Sequence, residues 1–139
     1  MANLTQARPT IETLGEIYSL PMAAAALIYG GALTALNAAG FATKGAVATT
    51  LKQFGRAEET VDNTAGANAA KSIRVKTGIF LWTNSAAGDL ITTAEIGTDC
   101  FIVDDQTVTK TNGGATRSRA GKVVMVDAAG VYVQMGPQF

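Results

Sequence analysis

The 139-residue sequence predicts a mainly β fold: one small barrel or sandwich built of short hairpins over residues 21–139, behind an extended N-terminal arm over residues 1–20. Three observations point there. Asp or Asn, two small residues and Gly recur as one device, in LNAAGFA at Leu36–Ala42 and VDAAGVY at Val126–Tyr132, with looser copies in NSAAGDL at Asn84–Leu90 and DNTAGAN at Asp62–Asn68. Runs rich in β-branched and aromatic residues, such as IRVKTGIFLWT at Ile73–Thr83, have the composition of strands. Charged residues make up 16% of the chain against about 25% in ordinary globular domains, so much of the surface is expected to face partners rather than water.

The arm comes first. Arg8-Pro9 favours extended backbone. Ile11, Leu14, Ile17, Tyr18 and Leu20 offer apolar anchors without the period of a core element. TLGE at Thr13–Glu16 fits a capping box, but Gly15 inside it and Pro21 after it limit any helix to one turn. Ordering such a segment costs about 1–2 kcal/mol per residue in backbone entropy. Burying each of its five large apolar side chains returns about 1.5–3 kcal/mol. The arm is therefore expected to order only against a neighbour's surface.

Met22–Ala46 reads as short strands around Gly30-Gly31 and a first hairpin, Ala32–Leu36 with Phe41–Thr43. The Asx side chain accepts from the backbone two residues on and Gly takes the positive φ, the chemistry of a type I turn with a bulge. From Val47 to Asn68 a strand ending near Phe54 gives way to a long polar surface loop. Ile73–Thr83 reads as one strand: Ile73, Val75 and Thr77 alternate with Arg74 and Lys76, and a bulge is expected at Gly78. Beyond it Ile79, Phe80, Leu81 and Trp82 are all apolar, so that end should be covered on both faces. A helical turn fits Thr93–Ile96, a strand Cys100–Asp104, a turn Asp104-Asp105 and a further strand Gln106–Thr111. Asn112-Gly113-Gly114 is a turn, and Lys122–Val126 with Val131–Met135 forms the last hairpin. Val123–Val126 is again apolar on both faces. Two doubly apolar strands in one small β protein predict a homo-oligomer, with Ile79, Leu81, Val123 and Met125 on the buried outer face.

The residues that do chemistry are scarce. There is no histidine, which removes the commonest general base and metal ligand together. A single cysteine, Cys100, rules out an intramolecular disulfide and a thiolate zinc site. No nucleophile elbow, zinc helix, Walker loop or dinucleotide fingerprint occurs, so no catalytic residue, cofactor or metal site is expected. Asp99, Cys100 and Asp104-Asp105 lack calcium-loop spacing and read as a solvated turn beside a buried thiol. Glu58-Glu59 and Asp62 read as a solvated loop, Phe80 and Trp82 as core or interface aromatics, and Arg117 and Arg119 as partners in a subunit salt bridge. With 11 basic and 11 acidic residues, no net charge draws the chain to nucleic acid. MANLTQARP does not read as a signal peptide. The uncharged run Ile17–Thr43 is interrupted by Pro21, Gly30-Gly31, Asn37 and Gly40, so no membrane span is expected.

The ordered strings YGGALTALNAAGFA, FGRAEETVDNTAG, GIFLWTNSAAGD, IGTDCFIVDDQTVTKT and TRSRAGKVVMVDAAGVYVQM span Ile28–Met135. Together they resemble a family of tailed-phage and prophage head proteins, the small capsid decoration or cement proteins. The resemblance implies a β-rich protein without enzymatic activity, usually a homotrimer. Such a protein sits on the outer surface of an icosahedral virion shell and staples neighbouring major capsid protein subunits. Made in the host cytoplasm, it would need no nucleic acid, membrane or small-molecule substrate. Two other readings stand beside it. A virion-displayed binding module, for carbohydrate as an example, would use exposed aromatics, for which Trp82 and Tyr132 are the candidates. An enzyme working without histidine would need carboxylates such as Asp104 and Asp105 in a concave site.

Overall fold

The computed structural model describes residues 5–9 and 16–139. The fold is mainly β, a sandwich-like arrangement of short antiparallel strands with no closed barrel. In chain order the strands are β1 (Ile17–Pro21), β2 (Leu27–Ile28), β3 (Leu33–Leu36), β4 (Ala42–Lys44), β5 (Lys52–Ala57), β6 (Val61–Asp62), β7 (Ser72–Lys76), β8 (Gly78–Trp82), β9 (Asp99–Ile102), β10 (Val108–Thr109), β11 (Arg119–Asp127) and β12 (Gly130–Met135). They build two five-stranded sheets, ordered β1-β7-β5-β3-β4 and β10-β9-β11-β12-β8, and a small pair β2-β6. The first sheet uses residues 17–76 and the second residues 78–135, so the two sheets take the chain in sequence. Each sheet curls until its edges touch at one parallel bridge, Met22↔Ala42 in the first and Thr83↔Thr107 in the second. Each covers its own core. Met22, Ile28, Phe54, Ile73 and Val75 fill the first; Trp82, Ile91, Ile102, Val133 and Met135 are among those filling the second, joined by Leu33 from β3.

The repeated device makes a hairpin turn at two of its four occurrences. Asn37 Oδ1 accepts from the N–H groups of Ala39 and Phe41, both at 3.0 Å, and Gly40 takes φ +91°. Asp127 Oδ1 accepts from the Ala129 N–H at 2.8 Å, and the ladder closes on Asp127↔Gly130, leaving Ala128-Ala129 as the loop. The looser copies do other work. Asp62 Oδ1 accepts from the Thr64 N–H and hydroxyl, while Asn84 bonds both backbone groups of Ile91 and so closes a loop. That loop holds a 3-10 turn, Ala87–Asp89. The helical turn expected at Thr93–Ile96 is a second 3-10 turn, Thr93–Glu95, with a capping box between Thr92 and Glu95.

Three expectations need correction. The single strand Ile73–Thr83 is two strands in different sheets, parted by Thr77: Gly78, at φ +150°, turns the chain out of the first sheet rather than bulging within it. The strand expected to end near Phe54 runs on to Ala57 as a central strand, where Gly55 lies so close to the Lys76 backbone that a Cβ would collide with its carbonyl. The arm expected to reach residue 20 gives way at Ile17 to β1, paired with β7 in the register Ile17↔Lys76 to Pro21↔Ser72. Tyr18 packs edge-on against Phe54 at 5.3 Å between ring centroids, and Leu20 packs on the first core. Ile11, Leu14 and Thr13–Gly15 of the TLGE capping box lie outside the described residues.

Candidate functional site

The candidate site is the outward face of the second sheet. Across β11, β12 and β8 the register sets Met125 opposite Tyr132 and Tyr132 opposite Leu81, which makes one continuous row over three strands. Beside it Ile79 stands opposite Gln134, and Gln134 opposite Lys122. Ile79 is 53% exposed, Leu81 43%, Val124 37% and Met125 51%; Tyr132 is half-buried. Lys122 is the only charged side chain in these paired positions. The inner face of the same strands carries Phe80, Trp82, Val131 and Val133, all in the core. Ordinary strand alternation thus separates the two faces, and the outer one holds large apolar side chains that stay exposed among the described residues.

Of the residues expected on this face, Ile79, Leu81 and Met125 lie there together. Val123 does not: it is 1% exposed and belongs to the core. The cause is a bulge between Val123 and Met125, which leaves Val124 and Met125 both exposed and returns Val123 inward. Among the arm residues, Ile17 is 51% exposed at the sheet edge, while Tyr18 and Leu20 pack on their own chain's core rather than waiting for a neighbour. Sequence reasoning did not place Val124 and Tyr132 on this face. Counting back from the Asp127–Gly130 turn reaches Tyr132 opposite Met125 directly, a signal the turn chemistry already contained.

The remaining candidates are dispersed. Asp104 accepts from the Gln106 N–H at 2.9 Å in a local turn. Among the described residues no group of three or more metal-binding side chains comes together. Glu58, Glu59 and Asp62 each have a separate partner, namely Arg56, Arg74 and Thr64. The Arg74 guanidinium holds Glu59 below the usual carboxylate range, and the Thr64 hydroxyl does the same for Asp62. Cys100 is buried, and desolvation pushes its thiol up to about 12. Arg117 and Arg119, expected in subunit salt bridges, pair within the chain, with Asp89 at 3.4 Å and Asp99 at 2.8 Å. Trp82 is in the core with its indole N–H directed at Met135 Sδ, 3.2 Å away, so it is not an exposed stacking platform. Among the described residues no helix is long and apolar enough to cross a membrane. No protein-family model, curated protein or solved structure matches this chain.

Proposed function

We propose that the chain is a structural virion protein, a decoration protein on the outer surface of an icosahedral phage capsid, where it bridges neighbouring major capsid protein subunits as a homotrimer. The observation that carries this reading is the row Met125–Tyr132–Leu81, flanked by Ile79 and Val124, on a domain whose own cores are already filled. A face of this kind is an assembly surface in a soluble protein, because contiguous exposed apolar side chains carry a solvation cost that only a partner removes. The resemblance of Ile28–Met135 to decoration proteins names the assembly. The ionisable side chains argue in the same direction, since Glu58, Glu59, Asp89 and Asp99 each pair with a separate arginine instead of converging on a cleft. The carbohydrate-binding reading loses Trp82 to the core.

The test mixes purified protein with mature, undecorated phage heads and measures mass per particle and survival on heating. Saturable addition of mass in multiples of three chains, with heads that withstand higher temperature, is the expected result. Heads that gain neither mass nor heat resistance would overturn it.

A further inference from the structure

Where the two halves of the chain meet, Tyr29, Gly30, Gly31, Ala32, Asp105 and Gln106 line an open recess of about 300 Å³. Backbone bonds fix its walls. The Ala32 N–H donates to the Tyr29 carbonyl at 3.0 Å, closing a tight turn, and the Gly31 N–H donates to the Ala57 carbonyl at 2.8 Å. From the other half, the Asp105 carbonyl accepts from the Leu33 N–H and the Gln106 carbonyl from the Thr83 N–H, both at 2.8 Å. Gly31, at φ +89°, has nothing within 4 Å of the place a Cβ would take, so the space beside it is free. The side chains around this space are unanswered. Among the described residues the Tyr29 hydroxyl, the Asp105 carboxylate and the Gln106 carboxamide have no hydrogen bond or ion pair. Every other carboxylate from Glu58 to Asp127 has a partner. Asp105 is half-buried, Tyr29 is 59% exposed, and no basic residue lines the recess. A partly desolvated carboxylate without a partner carries a cost that a cation removes. Beside an aromatic ring the best cation is a planar one, which stacks on the ring while it forks onto the carboxylate.

We infer that this recess is a guanidinium-binding site and that its occupant is Arg8 of a second copy of the chain. The arginines choose it. Arg56, Arg74, Arg117 and Arg119 each pair with a carboxylate of their own chain. Arg8 lies exposed within residues 5–9 and has no partner among the described residues, its own Asp105 included. The side chains of Lys44, Lys52, Lys76 and Lys122 also lack one, but each stands on a strand of a sheet and offers no planar fork. Donor and recess are different surfaces, so the contact runs head to tail, the kind that closes a ring of three when the rotation fits. The inference rests on the self-association in the proposed function and not on the capsid.

Two variants separate donor from acceptor: Arg8→Gln keeps the recess, Asp105→Asn keeps the donor, and neither position belongs to a core. Isotope-labelled Arg8→Gln is mixed in dilute solution with unlabelled Asp105→Asn, and the two are concentrated together. The Gly30, Gly31 and Gln106 amide resonances of the labelled chain should move to their parent positions. When the added chain carries Arg8→Lys as well, the same movement should need at least ~10-fold more of it, because an ammonium loses the forked bonds. Equal resonances in the parent and in Arg8→Gln would overturn the site. Resonances that differ between those two but stay fixed on mixing would overturn the assignment to a second copy. Light scattering of the parent keeps the two readings apart: a trimer whose recess amides ignore Arg8 overturns this inference alone, and a monomer overturns both.

Discussion

The carboxamide of Gln53 and the backbone of Gly136 hold each other by two hydrogen bonds: Nε2 donates to the Gly136 carbonyl at 2.6 Å, and the Gly136 N–H donates to Oε1 at 2.8 Å. The partners are 83 residues apart and both are buried. Gln53 stands on β5 of the first sheet and Gly136 follows β12 of the second, so one side chain clasps the two sheets. The Arg56 guanidinium over the Phe80 ring, 4.8 Å from its centroid, is a second tie.

Gln53→Leu should therefore destabilise the protein well beyond the loss of one surface contact. It strands a buried N–H and a buried carbonyl, each costing about 1–3 kcal/mol when left without a partner. Urea unfolding checks it; a midpoint shift no larger than that of an exposed substitution such as Lys122→Leu would refute the clasp.

The two hairpin glycines should respond unequally to substitution. Gly40, at φ +91°, has open space where a Cβ would stand, so Gly40→Ala costs only the left-handed strain, on the order of 1 kcal/mol. Gly130, at φ +146°, would drive its Cβ into the Trp82 carbonyl of the neighbouring strand. Gly130→Ala should lower the melting temperature clearly more than Gly40→Ala, and equal shifts would contradict the close approach of β12 and β8.

Stability should be flat from about pH 5 to 8, because the chain has no histidine to titrate there. On the acid side, the Thr111 hydroxyl and Arg117 depress Asp89, while the Thr92 hydroxyl and Lys110 depress Glu95. A depressed folded value contributes stability that is present above the unfolded-chain values, about 3.9 for Asp and 4.3 for Glu, and lost as pH falls through the folded ones. On the alkaline side Cys100, pushed up to about 12 by burial, works in the opposite sense: its contribution is complete below the unfolded thiol value of about 8.5 and lost as pH rises. Melting temperature against pH is the measurement. Asp89→Asn should flatten the acid limb and Cys100→Ala the alkaline limb; unchanged limbs would sink these assignments.

Charge placed on the outward face should break the proposed self-association without unfolding the chain. Leu81→Lys and Met125→Glu leave both cores intact, since both side chains are exposed, whereas Val123→Glu puts a carboxylate into the core and should unfold it. Each of the first two removes about 1–2 kcal/mol of apolar burial at a contact, roughly tenfold in affinity. Light scattering paired with circular dichroism separates the cases. Parent-like assembly of both exposed variants would exclude this face as the contact.

Legibility in the sequence followed the range of the interactions. Both tight hairpins could be read because Asn37 and Asp127 bond to backbone two residues away. The sheet change at Gly78 could not, because alternation in Ile73–Thr83 looks the same whether the strand continues or enters another sheet. β5 was hidden for a related reason: Gln53 and Arg56 look like surface residues until Gly136 and Phe80 arrive from the other half of the chain. Of the candidate face, Ile79, Leu81 and Met125 were visible as excess apolar character. The bulge that exchanges Val123 for Val124 is set by the partner strand and left no local mark.

Because the first sheet takes residues 17–76 and the second residues 78–135, the order of synthesis is also the order of the architecture. A ribosome adding about 5–20 residues per second releases every strand of the first sheet, with the Met22 and Ile73 core, before the second sheet exists. No strand of either sheet waits for a pairing partner in the other half. What must wait is Gly136: until it emerges, Gln53 sits in the nascent first half with its amide unanswered. Closing the clasp reports that translation has passed residue 136, and a prematurely released chain lacks that closure.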